Sequence, residues 1–181
     1  MDEKKRIRLS KFVSKVLRHE PDSIGITLEP GGWVPIVDLL SGLTKAGTQT
    51  SREELNAVVA NCEKQRFAFD ETATKIRANQ GHSTEVDLQL EEAEPPAELF
   101  HGTAHNTVPV ILRDGLLKMA RHHVHLSADT TTAAKVGQRH GKPVVLVVDT
   151  AKMRADGHIF YRSANGVWLV EHVAPEYLRV Q

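Results

Sequence analysis

The sequence predicts an α+β protein of two lobes. Three observations carry that expectation: three apolar stripes of helical period up to Cys62, a run of acidic residues and prolines at 91–98 with no apolar periodicity, and short strand-like segments alternating with helical ones beyond it. The 181 residues suffice for one large or two small domains. With 40% apolar and 25% charged residues, the composition is that of a chain that buries ordinary cores.

Taken in order, Ile7, Phe12, Val13, Val16 and Leu17 approximate helical spacing, and Pro21 disfavours helical backbone at Glu20, so a first helix should end near Arg18-His19. Trp33 follows Gly31-Gly32. Pro35 then opens a second helix with Ile36, Leu39, Leu40 and Leu43 on one face, ending near Gly47. Ser51 before Arg52-Glu53-Glu54 forms a capping box for a third helix carrying Leu55, Val58, Val59 and Cys62. Phe67 and Phe69, a polar turn at 70–74 and Ile76 read as a short hairpin. Three helices followed by a β wing suggest a winged-helix arrangement. The segment 91–98, EEAEPPAE, reads as a linker, which divides the chain into lobes 1–92 and 93–181. Beyond it come Leu99-Phe100, a helix at 107–113 ending at Gly115, an alternating segment at 124–127 and a helix over about 130–140. A strand buried on both faces at 144–148 and further strands at 160–161 and 166–173 complete a lobe with a central sheet.

Charge and composition exclude several functions. With 23 Lys+Arg against 23 Asp+Glu, the chain is not built to coat nucleic acid non-specifically. Its longest strictly apolar run, 144–148, is far below the roughly 20 residues that span a bilayer. The charged start MDEKKRIRLSKF lacks the features of a secretory signal, so a mature, cytoplasmic chain is expected. The single cysteine, Cys62, rules out an intramolecular disulfide, suits a reducing compartment and is expected as a small buried hydrophobe. Monomer is the default.

Five short segments concentrate the chemistry. Arg18-His19 in LRHEP pairs a planar fork that matches phosphate oxygens with an imidazole that titrates near neutrality. Arg77 in IRANQGHS, placed just after the hairpin, stands beside Asn79, Gln80, His82 and Ser83 around Gly81. In His101-Gly102-Thr103 a histidine leaves a strand next to a glycine that gives room for a ribose or amide to approach the backbone. In the segment Arg121-His122-His123-Val124-His125-Leu126-Ser127, strand alternation puts His123 and His125 on one face and Val124 and Leu126 on the other. There is no H-E-x-x-H and no cysteine pair, so a sugar or aromatic ring is favoured over a metal. Asn165-Gly166 is a turn signal, after which Val167 begins a strand in NGVWL.

Together, in this order, LRHEP, RANQGHS, HGT, RHHVHLS and NGVWL resemble the RNA 2'-phosphotransferase (tRNA 2'-phosphotransferase) family over about residues 9–178. The resemblance implies a winged-helix-like RNA lobe joined to an ADP-ribosyltransferase-type lobe. It also implies NAD consumed as a co-substrate, no metal, and as partner a tRNA-like RNA bearing an internal 2'-phosphate. The implied reaction has two steps. The 2'-phosphate displaces nicotinamide to give a 2'-phospho-ADP-ribosylated RNA; transesterification then releases 2'-OH RNA and ADP-ribose 1'',2''-cyclic phosphate. The family's catalytic set falls on Arg18, His19, Arg77 and Arg121, and its NAD contacts on His101, Gly102, Thr103, His125, Ser127 and Val167. That set suits the chemistry: a phosphate dianion needs holding in line rather than a base, and arginines stabilise charge gathering on phosphorus in the second step. Related ADP-ribosyltransferases often carry glutamate where this chain has Val167, which argues against ordinary protein modification. Seven basic against two acidic residues in 1–19 suit RNA contact. The rival readings are a mono-ADP-ribosyltransferase acting on nucleic-acid ends or protein, and a non-catalytic winged-helix module that binds nucleic acid.

Overall fold

The computed structural model describes residues 1–181. They divide into two compact units, Met1–Gln89 and Leu90–Gln181, each mixing helices with small antiparallel sheets.

In the first unit, α1 (Glu3–Arg18) starts at Asp2, whose carboxylate accepts from Lys5 N–H at 2.7 Å. It buries Leu9, Val13, Val16 and Leu17 as one stripe. His19 caps it, because Glu20 before Pro21 has left helical backbone. A two-residue strand, β1 (Val34–Pro35), leads into α2 (Ile36–Lys45), and α3 (Arg52–Ala60) carries the complete Ser51/Glu54 capping box. Cys62 falls just past α3; it is free and buried, and its Sγ accepts from Arg66 N–H at 3.4 Å. The hairpin β2 (Phe67–Phe69) and β3 (Lys75–Ala78) completes a sheet of order β1-β3-β2. Its turn is closed by Asp70, which accepts from Thr72 Oγ1, Thr74 N–H and Lys75 N–H. Those bonds, the Thr72 hydroxyl first, hold the Asp70 pKa down to about 2. Arg77, expected just after the hairpin, lies inside β3 opposite Ala68. Strand alternation continues through it, with Ile76 and Ala78 buried and Lys75 and Arg77 facing outward.

In the second unit, β4 (Glu98–Ala104) is followed by α4 (Val108–Asp114), β5 (Leu116–Leu117), β6 (Val124–Leu126) and α5 (Thr130–Gly137). Then come β7 (Pro143–Asp149), α6 (Thr150–Ala155), β8 (Tyr161–Arg162), β9 (Trp168–Val170), β10 (His172–Val173) and β11 (Leu178–Val180). The expected central sheet is instead three small ones, ordered β11-β7-β4, β6-β9-β8 and β10-β5. The first two are joined at one point, where Phe100 and Ser127 exchange main-chain hydrogen bonds of 2.9 and 2.7 Å. β7 is the buried strand expected at 144–148, although only Leu146, Val147 and Val148 are fully enclosed. The helix expected over 130–140 tightens into a 3-10 turn at Gln138–His140. Residues 91–98, whose composition reads as a spacer, are tied into this unit: Glu92 bridges Tyr161, Ala93 N–H donates to Phe160 C=O at 2.9 Å, and Thr150 Oγ1 donates to Pro96 C=O. No helix is long and apolar enough to cross a membrane.

Candidate active site

The first unit brings three of the expected catalytic residues onto neighbouring elements, since α1 and β3 pack into one core. Arg18 and His19 sit at the C-terminal end of α1, where helix carbonyls lack partners of their own. The chain after β3 supplies them: Ser83 and Thr84 N–H both donate to Arg18 C=O, at 2.9 and 3.1 Å. The same serine fixes the imidazole, its Oγ lying 2.7 Å from His19 Nδ1. On β3, the Arg77 guanidinium carbon stands 4.5 Å above the Trp33 ring. Its Nε is buried with no hydrogen-bond partner, and burial pulls the Arg77 pKa below its ordinary value.

Trp33 was not among the expected site residues, although the Gly31-Gly32-Trp33 run held the signal. At Gly31, with φ +84°, a Cβ would lie 2.9 Å from Trp33 Cδ1, so only glycine lets the ring close over this turn. Of the other polar residues in IRANQGHS, Asn79 is buried and its Nδ2 donates to Gln65 C=O at 2.6 Å.

In the second unit the site is built on β4, β6 and the turn before β9. His101, Gly102 and Thr103 lie within β4 rather than at its exit. The space beside Gly102 is filled by α5: a Cβ there would fall 1.6 Å from Ala133 O, and one on Gly137 would fall 2.7 Å from Thr103 O. The two glycines therefore let helix backbone rest directly on strand backbone, which is the physical reason for glycine at 102. The Thr103 hydroxyl is engaged with Thr107 Oγ1 at 2.6 Å.

Hydrogen bonding fixes the two imidazoles in opposite senses. His101 Nδ1 lies 3.2 Å from His125 C=O and must donate to it. Desolvation lowers the His101 pKa, so the ring is neutral near pH 7 and Nε2 is an acceptor. Arg121 Nη1 lies 3.3 Å from His125 Nδ1; a guanidinium only donates, so His125 accepts at Nδ1 and carries its proton on Nε2. Ser127 contributes main-chain bonds to Phe100. Leu126 pairs with Trp168 at the last step of the β6–β9 register, and Val167 immediately precedes β9. Val167 is held in its turn by Ser163, donating to Ser163 Oγ at 3.1 Å and accepting from Ser163 N–H at 2.9 Å. His123, one residue before β6, packs edge-on to Tyr161 with ring centroids 5.5 Å apart. No three His, Cys, Asp or Glu side chains converge as a metal-ligand group.

No carboxylate pairs with Arg77 or Arg121. Arginines without a carboxylate partner, Arg77 over the Trp33 ring in the first unit and Arg121 beside the His125 imidazole in the second, are groups that handle phosphate well. Residues 4–172 match the family described as RNA 2'-phosphotransferase, Tpt1 / KptA family. Three relatives called "Probable RNA 2'-phosphotransferase" resemble the chain along nearly its whole length. That of Nostoc punctiforme is 57% identical over 179 residues, 99% of each chain. That of Herpetosiphon aurantiacus is 50% identical over 181 residues, 100% of each, and that of Streptomyces griseus is 48% identical over 185 residues, 98% of each. The chain belongs to the RNA 2'-phosphotransferase family.

Proposed function

We propose that the protein removes an internal 2'-phosphate from RNA by transferring it to NAD, which is consumed. The three helices and hairpin of the first unit support a winged-helix-like lobe for RNA. The helix-backed small sheets of the second support an ADP-ribosyltransferase-type lobe for NAD. A buried, free Cys62 suits a reducing, cytoplasmic setting.

In this reading Arg18, Arg77 and Arg121 grip the 2'-phosphate and hold one oxygen in line with the anomeric carbon of the nicotinamide ribose. The new C–O bond forms as the C–N bond breaks, and nicotinamide leaves. In the second step the ribose 2''-hydroxyl attacks phosphorus, its proton passing to solvent, and the bond from phosphorus to the RNA 2'-oxygen breaks. The arginines stabilise the charge on the phosphoryl oxygens. His19, oriented through Nδ1 by Ser83, is placed to give its Nε2 proton to the departing 2'-oxygen. On the NAD side, His101 Nε2 accepts and His125 Nε2–H donates, a complementary pair for ribose hydroxyls or an amide. Gly102 and Thr103 continue the wall of β4 beside His101, Ser127 contributes its hydroxyl and Val167 an apolar contact. The donor set fits NAD without needing a metal ligand.

The observation that carries this reading is Arg77: a cation stacked on Trp33, with a buried Nε–H that nothing in the protein satisfies, is a seat for an anion. The test is incubation with NAD and an oligoribonucleotide bearing one internal 2'-phosphate, without added metal. Nicotinamide, dephosphorylated RNA and ADP-ribose 1'',2''-cyclic phosphate are expected. RNA that keeps an ADP-ribosyl group would mark a mono-ADP-ribosyltransferase instead, and NAD left intact would overturn the proposal.

A further inference from the structure

A groove on the first unit opens between α1 and the turn at 61–66 that follows α3. At about 550 Å³ it is far larger than a single small anion needs. Arg6, Lys11 and Lys15 line it from α1, Lys64 and Arg66 from the turn, and His19 stands at its end. Glu63 is its one acidic lining residue.

Two features make this more than a solvated face. Lys11, Lys15 and His19 follow one another at four-residue steps, so they form a row along α1 with neighbours about 5–6 Å apart. That step is on the scale of the repeat of an extended nucleic-acid backbone. The flanking arginines are also anchored: Arg6 Nη1 donates to Asn61 C=O at 3.0 Å and Arg66 Nη1 to Cys62 Sγ at 3.6 Å. Ser10 and Ser14 add neutral hydroxyl donors between the cations. Glu20 meets Lys15 at 2.8 Å in a solvent-exposed pair and Glu3 reaches Arg6 only at 3.9 Å, both weak pairs that can give way to phosphate. In a chain of zero net charge, such a concentration of cations is local and directed.

We propose that this groove is a track for the RNA backbone flanking the reacting nucleotide, with phosphates laid along Lys11, Lys15, Lys64 and Arg66 and the chain delivered to His19. The proposal rests on the RNA 2'-phosphotransferase reading. From Arg6 to His19 the helix runs roughly 20 Å at about 1.5 Å per residue, room for about three or four nucleotides. A substrate longer than a dinucleotide therefore gains affinity here that a minimal one does not.

The test compares a 2'-phosphorylated dinucleotide with an RNA of roughly ten nucleotides carrying the same internal 2'-phosphate. Binding is measured without NAD across a salt series, and turnover with NAD. At about 0.7 counterions released per contact on a single strand, replacing two cations (Lys11→Gln with Lys64→Gln) weakens the longer RNA about 25-fold at roughly 0.1 M salt. The slope of log affinity against log salt becomes shallower by about 1.4. Dinucleotide turnover by the same variant should stay at the wild-type level, which also reports an intact fold. A double variant that binds the longer RNA like wild type, or that loses both substrates equally, overturns the track. Failure of the wild-type protein to turn over either substrate would instead strike the underlying reading, while the binding series still judges the groove.

Discussion

Replacing Arg77 by alanine should separate activity from stability. In the folded protein the Arg77 Nε is buried without a partner, a penalty of about 1–3 kcal/mol, while its stack on Trp33 at 4.5 Å returns about 0.5–2 kcal/mol. These nearly cancel, so Arg77→Ala should leave stability within about 1 kcal/mol and Tm within about 4 °C of wild type. Activity should respond differently. Two charge-assisted hydrogen bonds to the transferring phosphate, at roughly 1.5–3 kcal/mol each, correspond to a loss in kcat/KM of about 10²–10⁴-fold. Arg77→Lys keeps the charge but loses the fork and the flat stacking face, so it should recover less than about tenfold of that loss. The assay is kcat/KM on a 2'-phosphorylated oligonucleotide beside calorimetric Tm. Turnover of Arg77→Ala within about tenfold of wild type, or a Tm fall beyond about 10 °C, would refute the reasoning.

Three further outcomes are expected. Trp33→Ala should lower kcat/KM by about 2–30-fold through the lost cation–π platform, and Trp33→Phe should retain most of it; kinetics of both variants that match wild type would remove Trp33 from the site. Gly102→Ala places a methyl group 1.6 Å from Ala133 O where contact ordinarily starts at 3.4 Å, so α5 must retreat by about 1.8 Å. Denaturation should show a loss of at least about 2–3 kcal/mol, and an unchanged midpoint would contradict the packing. His101 has a folded pKa below its ordinary 6.5, so its contribution to stability is complete above pH 6.5 and is lost as pH falls through the lowered value. Tm measured between pH 7.5 and 5.5 should therefore fall less in His101→Asn than in wild type, and parallel curves would show that the ring does not titrate as described.

Much of the first unit is written in its sequence because its helices are amphipathic. Val13, Val16 and Leu17, and then Ile36, Leu39 and Leu43, are buried as their helical spacing requires, whereas Ile7 is exposed and Leu9 takes its place in the core stripe. The hairpin was legible too, but its second strand was cut short at Ile76: Ala78 continues the alternation, and alanine is a weak strand signal. The second unit was harder. Two-residue strands such as β5 and β10 are too short to show a period, and the division into three sheets depends on pairings between residues far apart in sequence. The segment 91–98 reads as a spacer because main-chain bonds to Phe160 and Tyr161 leave no mark on composition.

The candidate site shows the same division. Local motifs pointed to Arg18, His19, Arg77 and the His125 segment, because clustered polar residues beside glycines are visible in one dimension. The Trp33 platform, the helix that fills the space beside Gly102 and the bond that sets the His101 tautomer arise from contacts across 24 or more residues, and only the fold reveals them; the His125 tautomer rests on Arg121, four residues away. Gly102 is the instructive case. A glycine beside a histidine suggests room for a ligand, whereas here the room admits a helix.

The central claim concerns where the phosphorus goes, and isotope tracing follows it directly. An oligoribonucleotide labelled with ³²P only at its internal 2'-phosphate is incubated with the protein and NAD, and the label is followed by chromatography. The account predicts that all transferred label appears in ADP-ribose 1'',2''-cyclic phosphate, in step with nicotinamide release. Label recovered as inorganic phosphate, or retained in RNA while NAD is consumed, would contradict it.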